Sequence, residues 1–130
     1  MKVRVMIVDD SKFIYEDIRQ NLEDTDFEVV AYCKDGVNAI ATYPEVHPDV
    51  VTMDIIMPNL DGFETAEKIL EMDPEANIIF LSSLAYEDTM EQAQRLGSAD
   101  FLFKPIEKEK LIASLLKIVD NKLNKKSKTE

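Results

Sequence analysis

The chain reads as a doubly wound α/β domain, and three observations predict that class. Short apolar, β-branched runs near residues 3–8, 27–32, 50–53, 76–81 and 100–103 alternate with amphipathic stretches of helical period. The runs show little polar alternation, as strands do when helices cover both faces of a parallel sheet. Repeated strand–helix units call for right-handed crossovers, giving a three-layer α/β/α arrangement around a five-stranded parallel sheet.

The first run, Val3-Arg4-Val5-Met6-Ile7-Val8, is stopped by Asp9-Asp10, and Ser11 is placed to cap a helix carrying Ile14, Ile18 and Leu22 on one stripe. After the second run, Val37, Ile40 and Ala41 mark a second helix, expected to stop at Pro44. Phe63, Ala66, Ile69 and Leu70 mark a third, stopped by Pro74, and Met90, Ala93 and Leu96 a fourth, with Gly97 where a left-handed cap would sit. Ile112, Leu115, Leu116 and Val119 mark the last. Residues 1–122 then form one domain, and 123–130 read as a polar, basic tail or the start of a linker.

The 130 residues suit one domain, and a 45% hydrophobic, 32% charged composition is that of an ordinary globular chain. A net charge of −11 repels phosphate backbones and anionic lipid, so direct nucleic-acid and membrane-surface binding are not expected. No stretch has the roughly 20 apolar residues of a membrane span, and the short N-terminal run is too soon charged for a signal peptide, so a cytoplasmic location is expected. Cys33 stands alone and reads as a small buried hydrophobe, while the single His47 lies in a polar loop; together they make a zinc site untenable. Gly36, Gly62 and Gly97 lie far apart and build no glycine-rich nucleotide loop.

The chemistry lies where the strands stop. One run ends in Asp9-Asp10, Val50-Val51-Thr52-Met53 ends in Asp54, Ile78-Ile79-Phe80-Leu81 ends in Ser82-Ser83, and Phe101-Leu102-Phe103 ends in Lys104. In an open parallel sheet these carboxyl ends share the edge where ligands bind. Carboxylates about 4 Å apart repel by roughly 4 kcal/mol per pair at an effective dielectric of 20, so such a cluster calls for a cation. Mg²⁺ fits, being a hard ion that uses few carboxylates and completes its octahedron with water, a carbonyl and phosphate oxygens. Asp54 is the candidate nucleophile toward a phosphoryl donor, with Lys104 neutralising charge and the Ser82 hydroxyl donating to a phosphoryl oxygen.

Val-Asp9-Asp10-Ser, Met-Asp54-Ile-Ile-Met57-Pro58-Asn-Leu-Asp61-Gly62 and Phe-Lys104-Pro105 resemble the signature of two-component response-regulator receiver domains, in order and spacing, across nearly the whole chain. The resemblance implies a flavodoxin-like strand order 2-1-3-4-5, which the residues themselves do not show. It implies that Asp54 accepts phosphate from a sensor histidine kinase. Asp9, Asp10, Asp54 and the backbone carbonyl of Ile56 would hold Mg²⁺, and the Lys104–Pro105 bond would be cis. Asp61 reads as a helix cap and not as a metal ligand. Ser82 and Phe101 would form the switch, with Phe101 lacking the phenol that many relatives carry there.

The same resemblance places partner binding on the face made by the fourth helix, fifth strand and fifth helix, carrying Tyr86, Glu87, Glu91, Phe101, Glu107 and Lys108. A downstream effector or a phosphorylation-dependent second copy would dock there. The resemblance also implies that the side chains of Ile56 and Leu84 flank the path of hydrolytic water; both are apolar, which predicts slow self-dephosphorylation. The chain is expected to be a signalling switch with no diffusible product, of the stand-alone chemotaxis type; the alternative is the N-terminal receiver of a longer regulator such as a transcription factor. An aspartyl phosphatase would place a second Asp where Ile56 stands. A degenerate docking module would have lost an acid, the nucleophile or the lysine.

Overall fold

The computed structural model describes residues 2–83 and 87–129, with side chains to residue 121. Strand and helix alternate throughout: β1 (Val3–Val8), α1 (Lys12–Asn21), β2 (Phe27–Cys33), α2 (Gly36–Val46), β3 (Val50–Asp54), α3 (Gly62–Met72), β4 (Ile78–Ser82), α4 (Glu87–Arg95), β5 (Asp100–Phe103) and α5 (Lys108–Thr129). All strand pairings are parallel and the order is β2-β1-β3-β4-β5, as the resemblance implies. The order reverses between β1 and β3, so a crevice opens outside their carboxyl ends.

Successive residues along the central strands feed two separate cores. Met6, Val8, Val51, Met53, Ile78 and Phe80 pack with Tyr43, Phe63, Ala66, Ile69 and Ala93 from α2, α3 and α4. Val5, Ile7, Ile79 and Leu81 pack with Ile18 and Leu22 at α1 and with Leu111, Leu115 and Ile118 of α5. Both sheet faces are therefore covered, which is why the strand sequences carry little polar alternation.

Several elements depart from expectation. The second helix does not stop at Pro44: α2 runs to Val46 with the proline inside its last turn, where one lost backbone bond costs least. It ends instead at His47, whose backbone enters the left-handed region at φ 50° and whose N–H donates to the Tyr43 carbonyl at 2.9 Å. The buried face of α2 is Gly36, Ala39 and Tyr43, and Val37 points outward at 60% exposure. Among the described side chains of α5 the buried positions are Leu111, Ser114, Leu115 and Ile118, and Leu116 is exposed. Ser11 does occupy the cap position of α1, but its side chain makes no capping bond. The expected left-handed Gly97 (φ 81°) and cis Lys104–Pro105 bond are both present.

One irregularity bears on the site. Along β1 and β2, Val5 pairs with Val29 but Met6 pairs with Ala31, so Val30 is an extra residue, a β-bulge. Past the bulge, Ala31 and Cys33 turn to the α2–α3 side and Tyr32 to the α1–α5 side.

Candidate functional site

The turns that leave β1, β3 and β5 bring the expected polar residues to one hollow. Asp9 follows β1 directly and is fully buried, its backbone N–H donating to the Cys33 carbonyl at 3.0 Å. Its Oδ1 accepts the Ser11 N–H at 2.9 Å, an Asx turn that leads into α1. Asp54, the last residue of β3, is also buried, whereas Asp10 is exposed. One carboxylate oxygen from each of Asp9, Asp10 and Asp54 lies within 4.8 Å of the other two.

Lys104 enters this cluster from the end of β5. Its Nζ donates to Asp9 Oδ2 at 3.0 Å and to Asp54 Oδ1 at 3.1 Å. Burial works against the ammonium, but the bonds and charges of Asp9 and Asp54 outweigh it and hold its pKa above the ordinary value. For Asp54 the balance runs the other way. Burial first, and the charge of Asp9 second, push its carboxyl up to about 6 despite the opposing pull of Lys104. One ammonium therefore does not neutralise the cluster. Three hard oxygen donors with an uncompensated negative charge match the ligand preference of a divalent cation such as Mg²⁺.

Ser82 closes β4 at the same edge: Asp54 pairs with Leu81, so Ser82 stands one residue further along, and its carbonyl accepts the Lys104 N–H at 2.8 Å. The loop after Asp54 folds back tightly, with Gly62 N–H donating to the Ile55 carbonyl at 2.7 Å. A Cβ at Gly62 would collide with the Asp54 carbonyl oxygen, so only glycine allows this approach. Asp61 caps α3 through a reciprocal box, accepting from Glu64 N–H at 2.8 Å while Glu64 Oε1 accepts from Asp61 N–H at 3.2 Å.

Ile56, two residues after Asp54, is 58% exposed. Phe101 is half-buried against the α2–α4 core and meets the Phe103 ring edge-on at 5.4 Å. Glu87 and Glu91 on α4, and Glu107 and Lys108 at the start of α5, are exposed, while Leu84 and Tyr86 fall outside the described residues. Sequence patterning overlooked Tyr32. Its ring stacks on Tyr15 at 4.2 Å and its buried hydroxyl has no hydrogen-bond partner among the described residues. Only the bulge at Val30 brings it to this side, and simple alternation along β2 conceals that.

The profile of the response regulator receiver domain matches residues 5–116. The chain is 37% identical over 115 residues to the chemotaxis protein CheY of Listeria monocytogenes, covering 88% of this chain and 97% of that one. It is 40% identical over 119 residues to CheY of Treponema pallidum, covering 88% and 83%. Among solved structures it superposes on a chain of the CheX–CheY complex with BeF3 and magnesium from Borrelia burgdorferi with a TM-score of 0.85, at 30% identity and covering 89% and 88%. With the strand order, the profile and these relatives in agreement, the chain belongs to the response regulator receiver family.

Proposed function

We propose that this protein is a chemotaxis-type response regulator whose signalling state is set by phosphorylation of Asp54. The observation that carries this reading is the contact of one half-buried ammonium, Lys104, with both Asp9 and Asp54 at the sheet edge. An Asp54 carboxylate oxygen attacks the phosphorus of a phosphohistidine on a sensor histidine kinase. The P–N bond breaks and its electron pair leaves with the imidazole. Lys104 Nζ, freed from Asp54 Oδ1 as that oxygen esterifies or turns away, then pairs with a phosphoryl oxygen, and the Ser82 hydroxyl donates to another.

Asp9, Asp10, Asp54 and the Ile56 carbonyl are the proposed Mg²⁺ ligands. The bound ion offsets the negative charge that gathers on the transferring group. The protein makes no diffusible product: its output is a change of surface. Ser82 moving toward the phosphoryl group vacates space into which Phe101 swings, altering the face of α4, β5 and α5. A downstream effector, or a second phosphorylated copy, reads that face. Residues 1–122 are the receiver unit and residues 123–130 a polar, basic tail whose backbone continues α5 as far as Thr129, and the setting is cytoplasmic.

Identity of 37% and 40% to two chemotaxis CheY proteins supports the chemotaxis reading. Beryllofluoride, a phosphoryl mimic, tests the proposal. With Mg²⁺ it should shift the amide resonances of Ser82 and Phe101 in the parent protein and leave Asp54→Ala unmoved. Shifts confined to residues adjoining Asp54, with Phe101 silent, would remove the switch from the proposal.

A further inference from the structure

We infer that the Tyr32 hydroxyl positions the Asp9–Asp10 acid pair for divalent-cation binding, as an outer-shell donor to Asp10 directly or through one water. This rests on the reading above that these acids hold magnesium. Four observations carry it. The bulge at Val30 reverses the facing of the last residues of β2, and a bulge beside a site is a device for re-aiming a side chain. It sets Tyr32 opposite Ile7, two residues before Asp9, while the Asp9 N–H is tied to the next residue of β2 through the Cys33 carbonyl.

The ring is then fixed by stacking on Tyr15 of α1, with planes 10° apart, so the hydroxyl is held in one place at little further entropic cost. That hydroxyl is buried and has no partner among the described residues, an arrangement that is costly unless something outside the protein completes it. Finally, the acids that follow β1, the strand paired with Tyr32, are the nearby acceptors. Burial raises the Tyr32 pKa most, and Asp9 and Asp10 are the next contributors, so both carboxylates lie within electrostatic reach. Asp9 already accepts from Ser11 and Lys104. Asp10 has no such bond among the described residues and is the acid left to be oriented. Outer-shell partners of ligating side chains commonly tune metal affinity by tenfold or more.

Calorimetric titration of the full chain with Mg²⁺ at pH 7.5 tests this, comparing the parent with Tyr32→Phe and Asp10→Asn. Tyr32→Phe keeps the ring and its stack, so the metal-free melting temperature should hold or rise while Kd for Mg²⁺ weakens about five- to tenfold. If the parent binds and Tyr32→Phe binds within twofold of it, the inference falls and the magnesium site stands. If Tyr32→Phe instead lowers the metal-free melting temperature by several degrees, the hydroxyl is structural and the inference also falls. If the parent binds no better than Asp10→Asn, the metal reading and this inference fail together.

Discussion

Lys104 Nζ bridges Asp9 and Asp54, at 3.0 and 3.1 Å, across 95 and 50 residues of sequence. It is the cation on which the metal-free hollow depends, because both carboxylates are buried. Removing it strands two buried charges, a change that typically costs about 3–5 kcal/mol. Lys104→Met should therefore lower the metal-free melting temperature at pH 7.5 by roughly ten degrees or more. Saturating Mg²⁺ should recover part of the loss. Equal melting temperatures for parent and variant in EDTA would show that the bridge contributes nothing.

Asp54 itself should weaken the metal-free fold. Its carboxyl titrates near 6 in the folded protein against an ordinary 3.8, so folding disfavours its ionised form. The penalty is absent below the ordinary value, develops as pH rises from about 4 to 6, and is complete above that range. Asp54→Asn removes it while Lys104 keeps its bond to Asp9. The variant should gain about 1–3 kcal/mol at pH 7.5 in EDTA and nothing at pH 4. Chemical denaturation at the two pH values measures the gain; one independent of pH would contradict the assigned cause.

Thr52 is fully buried in the middle of β3 and its hydroxyl has no hydrogen-bond partner among the described residues. Valine has nearly the same shape and no hydroxyl to desolvate. Thr52→Val should raise stability by about 0.5–1.5 kcal/mol in urea denaturation, since it removes an unsatisfied group without opening a cavity. A loss of stability would mean that the hydroxyl finds a partner in solution.

Much of the site was legible because strand ends announce themselves. An apolar run that stops on Asp9-Asp10, Asp54, Ser82 or Lys104 locates each residue at one sheet edge before any contact is known. The α2 helix was not legible in the same way. Its buried face is made of Gly36, Ala39 and Tyr43, selected by close approach to α3: a Cβ on Gly36 would collide with the Thr65 hydroxyl. Tyr43 adds a 2.7 Å bond to Asp73 across that contact. Apolarity alone favours Val37, which is exposed. The bulge at Val30 was hidden for a related reason, since Val29, Val30 and Ala31 are all apolar and give no parity signal.

On the proposed function, Ile56 sets how long the phosphoryl group lasts. Exposed two residues after Asp54, it offers no group that could orient a water molecule for attack on an aspartyl phosphate. The parent should dephosphorylate slowly, and Ile56→Asn should shorten the phosphoryl lifetime several-fold with little change in melting temperature. Phosphate release after removal of the donor gives both rates. Fast decay in the parent, unchanged in the variant, would refute the assignment.

Intact-mass analysis after incubation with acetyl phosphate and Mg²⁺ tests the central claim most directly, on the parent chain and on Asp54→Asn. One added phosphoryl group on the parent and none on the variant is the predicted result. An equal adduct on both, or none on a folded parent with magnesium present, would contradict it.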